Sequence, residues 1–498
     1  MKRSILYLFA ILFAIPVTSQ DVITRNCRPR LAEIDMSKHV ARRAGILTET
    51  KGNTSGLEAE NPLIGDRHQL VVMAEFADQA FKDDSILTLQ KWDKILNSRN
   101  FKDSMIAGSM HDYFYDQSYG QLNLSFDLLY VVVENKKKYR STYADDENSK
   151  YLVQDVVSII KNRVKDWGLY DWDNDGDVDQ LLIIYAGKGQ NDGGGSMTIW
   201  PHQWWMSEHK DCQPVSVTSG SKTYRVNSYC TVQELSGKGD YGIFGTLCHE
   251  YSHCFGLPDF YDGYNQYVSA WDLMDYGNYN GNGFHPCGYS SFERAFMGWL
   301  TPVELKNDTV IDGMKALSDA PVSYLIRNEG NANEYYLVEN RQMTGWDETL
   351  PGSGIVVFHV DYDEDTFHKG TVNSSTKKRY TIIPANDTIK TTETALKGWA
   401  YPYKSNNGLT NTSKPAAQLN NPNIDGSLLM SKPLTDMAVV NCLASFSFMK
   451  QTMAAVPYVQ ERSISNNDGW FTTDGRRLPD KPAVHGLYIH HGKVVLVR

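Results

Sequence analysis

Hydrophobic and polar positions change their period several times along this chain, and each change predicts an element. His68 to Phe76 is a strand-like run, Leu122 to Val133 is rich in apolar and β-branched residues, and Gln180 to Ala186 is short and almost wholly apolar, so all three read as strands. Between them, Ile86 to Leu96 and Met105 to Tyr115 read as helices. Tyr151 to Val164 sets Leu152, Val156, Ile160 and Val164 four apart, the stripe of an amphipathic helix. Tyr224 to Glu234 is a further strand. Strands alternating with helices predict an α+β domain with a mixed sheet and helices packed on it. Ile243 to Cys254 then reads as a helix, ended by Gly256 with Pro258 just beyond. Another helix falls within Pro286 to Trp299. Past about residue 310 the texture becomes β-rich, with strands at Tyr335 to Glu339, Gly354 to Val360 and Tyr380 to Ile383. Residues 391–436 carry little pattern, and short alternating runs with turns follow from about Ser463.

The first residues bear on destination. Met1-Lys2-Arg3, an apolar run from Ile5 to Val17 and small residues at Thr18 and Ser19 describe a secretory signal peptide. The expected organisation is a signal peptide at 1–20, a weakly patterned leader or propeptide at 21–65 and a main folded domain at 66–310. A β-rich accessory region at 311–455 and a C-terminal β segment at 456–498 complete it. A net charge of −10 argues against a nucleic-acid partner, which needs a basic footprint, and no membrane span is expected in the mature protein. Seven cysteines, irregularly spaced and without a paired C-x-x-C, describe neither a disulfide scaffold nor a cysteine zinc site.

The chemistry concentrates in His249-Glu250-Tyr251-Ser252-His253-Cys254-Phe255-Gly256-Leu257-Pro258-Asp259. Histidines four apart on a helix share one face, so both imidazoles can reach one ion. Glu250 can face a water on that ion, take its proton and pass it to a leaving amine. Two histidines leave a catalytic zinc one protein ligand short. The break at Gly256 lets the chain fold back and present Asp259 as the third ligand, with Asp262 as the rival. A second acidic stretch, Asp171, Asp173, Asp175, Asp177 and Asp179 around Gly176, has the alternate spacing of the first half of an EF-hand calcium loop. Its twelfth position is Leu182 rather than glutamate, so any remaining calcium ligands come from elsewhere.

The His-Glu-x-x-His-x-x-Gly-x-x-Asp pattern resembles the metzincin style of zinc protease, with aspartate in the third-ligand position. Five further segments, His111 to Leu122, Asp173 to Gly176, Thr198 to His202, Gly256 to Asp262 and Trp271 to Asp275, make residues 68–305 resemble the immune inhibitor A family of secreted bacterial metallopeptidases. The resemblance continues more loosely to about residue 390. It implies a metzincin-like catalytic domain with zinc at the floor of a cleft, Met274 in the Met-turn beneath it, and Tyr276 as a phenol that stabilises the oxyanion. Cys27, a thiol in the leader, is similar in placement to the blocking cysteine of matrixin-type proenzymes, although its neighbours differ. The segment from Asp474 to Arg498 looks similar to C-terminal sorting tails of type IX secretion, which implies export machinery as a partner and a Gram-negative source. The expected protein is an exported zinc endopeptidase acting on extracellular proteins or peptides, with calcium as a second ion. Two rivals are a non-catalytic binding or adhesion protein on the same fold and a zinc hydrolase of a non-peptide amide.

Overall fold

Leu181-Leu182-Ile183-Ile184-Tyr185-Ala186 has no polar alternation because both faces of its strand are covered: all six residues are buried at the centre of a five-stranded sheet. The computed structural model describes residues 63–102, 106–140, 147–195, 198–450, 469–491 and 493–498. The apolar N-terminal run, nearly all of the leader including Cys27, and residues 456–468 of the expected C-terminal segment lie outside these. The chain forms two compact units, one ending at Lys450 and the other beginning at Gln451.

In the larger unit the main sheet comprises β1 (Gly65–Phe76), β2 (Leu122–Val133), β3 (Leu181–Lys188), β4 (His202–Trp205) and β5 (Ser228–Leu235), in the order β2-β1-β3-β5-β4. β1, β2, β3 and β5 are parallel, and β4 is antiparallel to β5. Helices α1 (Ser85–Asn97) and α2 (Met110–Gln117) connect β1 to β2, and α3 (Ser149–Ile160) lies on the way to β3. The α3 stripe buries Leu152, Val153, Val156, Val157 and Ile160. Val164 falls beyond the helix end and is only partly buried. α2 starts five residues later than its periodicity predicts, because Ser109 and Asp112 form a reciprocal capping box that fixes Met110 as the first helical residue.

The expected strand from Tyr224 to Glu234 is two strands in different sheets. Lys222–Val226 pairs with Val215–Ser219 and Asp177–Val178, whereas β5 joins the main sheet. The break falls at Asn227, whose backbone carbonyl accepts the Met206 amide and whose side chain accepts the Ser207 amide.

After α4 (Phe244–Ser252) and α5 (Ser291–Phe296), a second five-stranded sheet runs in the order Tyr380–Ile382, Gly354–Asp361, Glu334–Arg341, Tyr324–Arg327, Val303–Glu304. Strand alternation along Glu334–Arg341 divides its side chains between two cores. Tyr335 and Leu337 join the large core of the main sheet, while Tyr336 and Val338 join a smaller one with Met314, Ile326 and Phe446. Thr309–Met314, Leu443–Phe448 and Leu434–Val440 form a three-stranded sheet on that smaller core.

The C-terminal unit has a four-stranded antiparallel sheet, Arg477–Leu478, Trp470–Thr472, Gly486–His490 and Lys493–Val497, with Gly475 at positive φ in its first turn. No helix among the described residues is long and apolar enough to cross a membrane. The six described cysteines form no disulfide.

Candidate metal centre

α4 is buried along its whole length, so its polar residues must be satisfied by the protein or by a ligand. The α-helix ends at Ser252. A 3-10 turn, His253–Phe255, follows, and Gly256 takes φ +96°, a conformation that favours glycine. The chain then reverses and brings Asp259 back over the helix.

His249 and His253 lie with ring centroids 4.9 Å apart at 82°. Each ring is fixed from behind. His249 Nδ1 donates to the Leu273 carbonyl at 2.9 Å, and His253 Nδ1 donates to the Leu257 carbonyl at 2.7 Å. With Nδ1 carrying the proton, Nε2 presents its lone pair on the opposite side, the arrangement of a metal-ligating histidine. Both Nε2 atoms face Asp259 Oδ1, at 3.2 and 3.3 Å. Ligand atoms of His249, His253 and Asp259 all lie within 4.8 Å of one another. Two imidazole nitrogens and one carboxylate oxygen match the three-ligand set of a catalytic zinc. Burial opposes the charged form of His249, but the facing Asp259 carboxylate and the charge of Glu250 outweigh it and raise the group to about 9. Burial also opposes the Asp259 charge, yet the two histidines hold its carboxyl far below the ordinary range. Glu250, fully buried beside His249, is close enough for its charge to act on that imidazole.

The backbone around Met274, the residue expected in a Met-turn, bonds to both arms of the site. Met274 is fully buried, its amide donates to Asp272 Oδ1 at 2.8 Å, and its carbonyl accepts the Phe260 amide at 2.9 Å. Leu273 holds His249 and Met274 holds the residue after Asp259, so one turn braces both arms of the site. Asp275 Oδ2 accepts the amides of Tyr267, Val268 and Ser269 at 2.8, 2.8 and 2.7 Å. Burial pushes its carboxyl up to about 6 against those bonds. Asp272 and Asp275 were not among the candidate residues, although they flank Met274 as polar residues in an apolar stretch. Tyr276 is half-buried, with its ring 4.9 Å from that of Tyr279, and burial raises its phenol. Asp262 sits in the next turn, paired through its backbone with Asn265, and is outside the group formed by the histidines and Asp259.

The acidic loop folds on itself. Asp171 accepts the amides of Asp175 and Gly176, both at 3.1 Å, and Asp179 accepts the amide of Trp172. Ligand atoms of Asp171, Asp173 and Asp179 gather within 4.8 Å. Asp175 and Asp177 are outside that group: Asp175 accepts the Asp177 amide at 2.7 Å, and Asp177 pairs with Arg225 at 2.5 Å.

A mixed, largely parallel sheet together with a His-Glu-x-x-His pair and an aspartate gathered beside it describes a domain with a candidate metal centre. Residues 68–300 match the family model of the immune inhibitor A peptidase M6 catalytic domain. Immune inhibitor A of Bacillus thuringiensis subsp. alesti is 31% identical over 165 residues, covering 28% of this chain and 22% of that protein. The pre-pro-metalloprotease PrtV of Vibrio cholerae serotype O1 (strain M66-2) is 30% identical over 179 residues, 31% of this chain and 19% of the relative. The chain thus spans about a fifth of the length of the curated relatives it matches.

Proposed function

We propose that this protein is an exported zinc-dependent endopeptidase. The observation that carries the reading is the convergence of His249 Nε2, His253 Nε2 and Asp259 Oδ1 in a buried pocket, with Glu250 on the same helical turn. Zinc held by those three atoms would polarise the scissile carbonyl and bring the pKa of a water toward about 7. The chain's own residues do the rest. The Leu257 and Leu273 carbonyls keep both imidazoles in the ligating tautomer. The Glu250 carboxylate takes a proton from the attacking water and returns it to the leaving nitrogen. Tyr276 donates its phenol proton in a hydrogen bond to the developing oxyanion. Asp171, Asp173 and Asp179 would hold a stabilising calcium, the 21–65 leader would keep the proenzyme latent, either sterically or through the Cys27 thiol, and the C-terminal segment would serve export.

Chelation abolishes cleavage of a generic protein substrate, and added zinc restores it. Glu250→Ala keeps zinc but loses about 10²–10⁴-fold in turnover, the usual contribution of a positioned acid–base group. His249→Ala loses both metal and activity. Full activity in Glu250→Ala overturns the mechanism.

A further inference from the structure

Asp259 is carried by residues 256–263, a stretch without regular secondary structure beyond a single bridge. A ligand on such a segment is only as well placed as whatever holds its backbone. The next residue, Phe260, is held on three sides. Its amide donates to the Met274 carbonyl at 2.9 Å. Its carbonyl accepts Asn373 Nδ2 at 2.7 Å. Its ring stacks on Tyr380, with centroids 3.9 Å apart at 28°. Two of these three supports come from residues beyond the matched stretch 68–300.

The same two residues reach the other arm of the site. Asn373 is 1% exposed and uses its full hydrogen-bonding capacity. Nδ2 donates to the Phe260 and Tyr380 carbonyls, and Oδ1 accepts the Arg379 and Tyr380 amides at 2.8 and 3.1 Å. The Tyr380 hydroxyl, so fixed, donates to Asp272 Oδ2 at 3.0 Å and lies 2.8 Å from Ser290 Oγ. Asp272 in turn accepts the Met274 amide and shapes the turn whose Leu273 carbonyl holds His249. One asparagine and one tyrosine of the second sheet region thus touch the supports of two ligands.

We infer that Asn373 and Tyr380 are positioning residues for the metal centre, so that the geometry of His249 and Asp259 is completed from outside the matched catalytic stretch. The inference rests on the zinc reading of the site. Removing the Phe260 anchor lets Asp259 drift, and removing the Asp272 anchor loosens the His249 carbonyl acceptor. Both lower metal affinity without removing a ligand.

The test uses the full chain, with zinc affinity measured by competition against a chromophoric chelator and with the visible spectrum of the cobalt-loaded protein. Asn373→Ala weakens zinc binding about 10–100-fold, the range for partners that orient metal ligands. Tyr380→Phe keeps the ring stack but loses the hydroxyl, and weakens binding about tenfold, the low end of that range. Both alter the cobalt spectrum, which reports coordination geometry. Tyr336→Phe is the control for a merely structural loss. It removes a hydroxyl that donates to the Gln418 carbonyl at 2.5 Å in the smaller core, and it leaves zinc affinity and the cobalt spectrum unchanged. Near-ultraviolet circular dichroism verifies folding, and Tyr380→Phe, which preserves the packing volume, decides the matter if Asn373→Ala does not fold. Wild-type zinc affinity and spectrum in folded Tyr380→Phe and Asn373→Ala, or a Tyr336→Phe loss as large as theirs, overturns the inference and leaves the zinc reading intact. A wild-type chain that binds no zinc overturns the zinc reading itself.

Discussion

Gly245→Ala separates what helix propensity expects from what packing dictates. Gly245 lies inside α4, where alanine is favoured over glycine by about 1 kcal/mol on propensity alone. A Cβ at this position meets backbone only: the Asn278 carbonyl oxygen at 1.8 Å and its carbon at 2.7 Å. Relief to about 3.0 Å moves the 277–283 segment by about 1.2 Å, the difference between that limit and 1.8 Å. The segment is not free to move. Gly277 donates its amide to Asp272 O at 2.8 Å, and Asn280 Nδ2 donates to Ala270 O at 2.9 Å. Overpacking of this kind costs about 1–3 kcal/mol, and breaking one buried hydrogen bond adds about 1–3 more. Against the local gain of about 1 kcal/mol, the net loss falls near 1–5 kcal/mol. The assay is urea denaturation of the zinc-loaded protein, followed by tryptophan fluorescence. Because Gly277 bonds to Asp272, zinc affinity falls along with the midpoint. A Gly245→Ala protein as stable as the wild type, or more stable, refutes the reasoning.

Arg341→Met should cost about 3–5 kcal/mol, because Asp347 and Glu339 lose the guanidinium that pairs with them in the core; a urea-measured loss below about 1 kcal/mol contradicts this. Asp259→Asn should sharply weaken zinc binding in a chelator competition while Asp262→Asn does not, and the reverse order would reassign the third ligand. Millimolar calcium added to the zinc-loaded protein should raise the melting temperature, and Asp171→Asn should abolish the rise; no shift in the wild type removes the calcium proposal. His202 is fully buried, and burial drives its imidazole down to about 3 despite the bond from Nδ1 to the Trp200 carbonyl. Its folded pKa is below its unfolded one, so stability falls as pH drops from about 6.5 toward 3, by up to about 1.4 kcal/mol per pH unit. His202→Gln should flatten denaturation midpoints across that window, and an unchanged slope counts against the assignment.

Much of this protein was legible in one dimension because the physics involved is local. The His249–His253 spacing defines a helix face whatever surrounds it, and Gly256 with Pro258 ends that helix by backbone sterics alone. Asp259 as the closing residue followed from chain reversal over a few residues, and the structure gathers it with both histidines. The strand Leu122–Val133 matches its expected bounds because apolar residues alternate with Asn123, Ser125 and Asp127 in its first half and run unbroken to Val133 in its second. Other features depended on partners distant in sequence. Nothing local tells Lys222–Val226 from Ser228–Leu235, which enter different sheets only because Met206 and Ser207 dock on Asn227 between them. Asp175 and Asp177 have the same alternate spacing as Asp171, and only Arg225, on a neighbouring strand, draws Asp177 away. The supports of the metal site lie furthest from sequence reach. Asn373 and Tyr380 sit more than a hundred residues from His249, and an asparagine or tyrosine carries no periodic signal of its own. Hydrophobic period and short-range stereochemistry determine elements and ligands, whereas the polar groups that hold those ligands still are decided by which backbone carbonyls and amides the folded chain leaves within 3 Å of them.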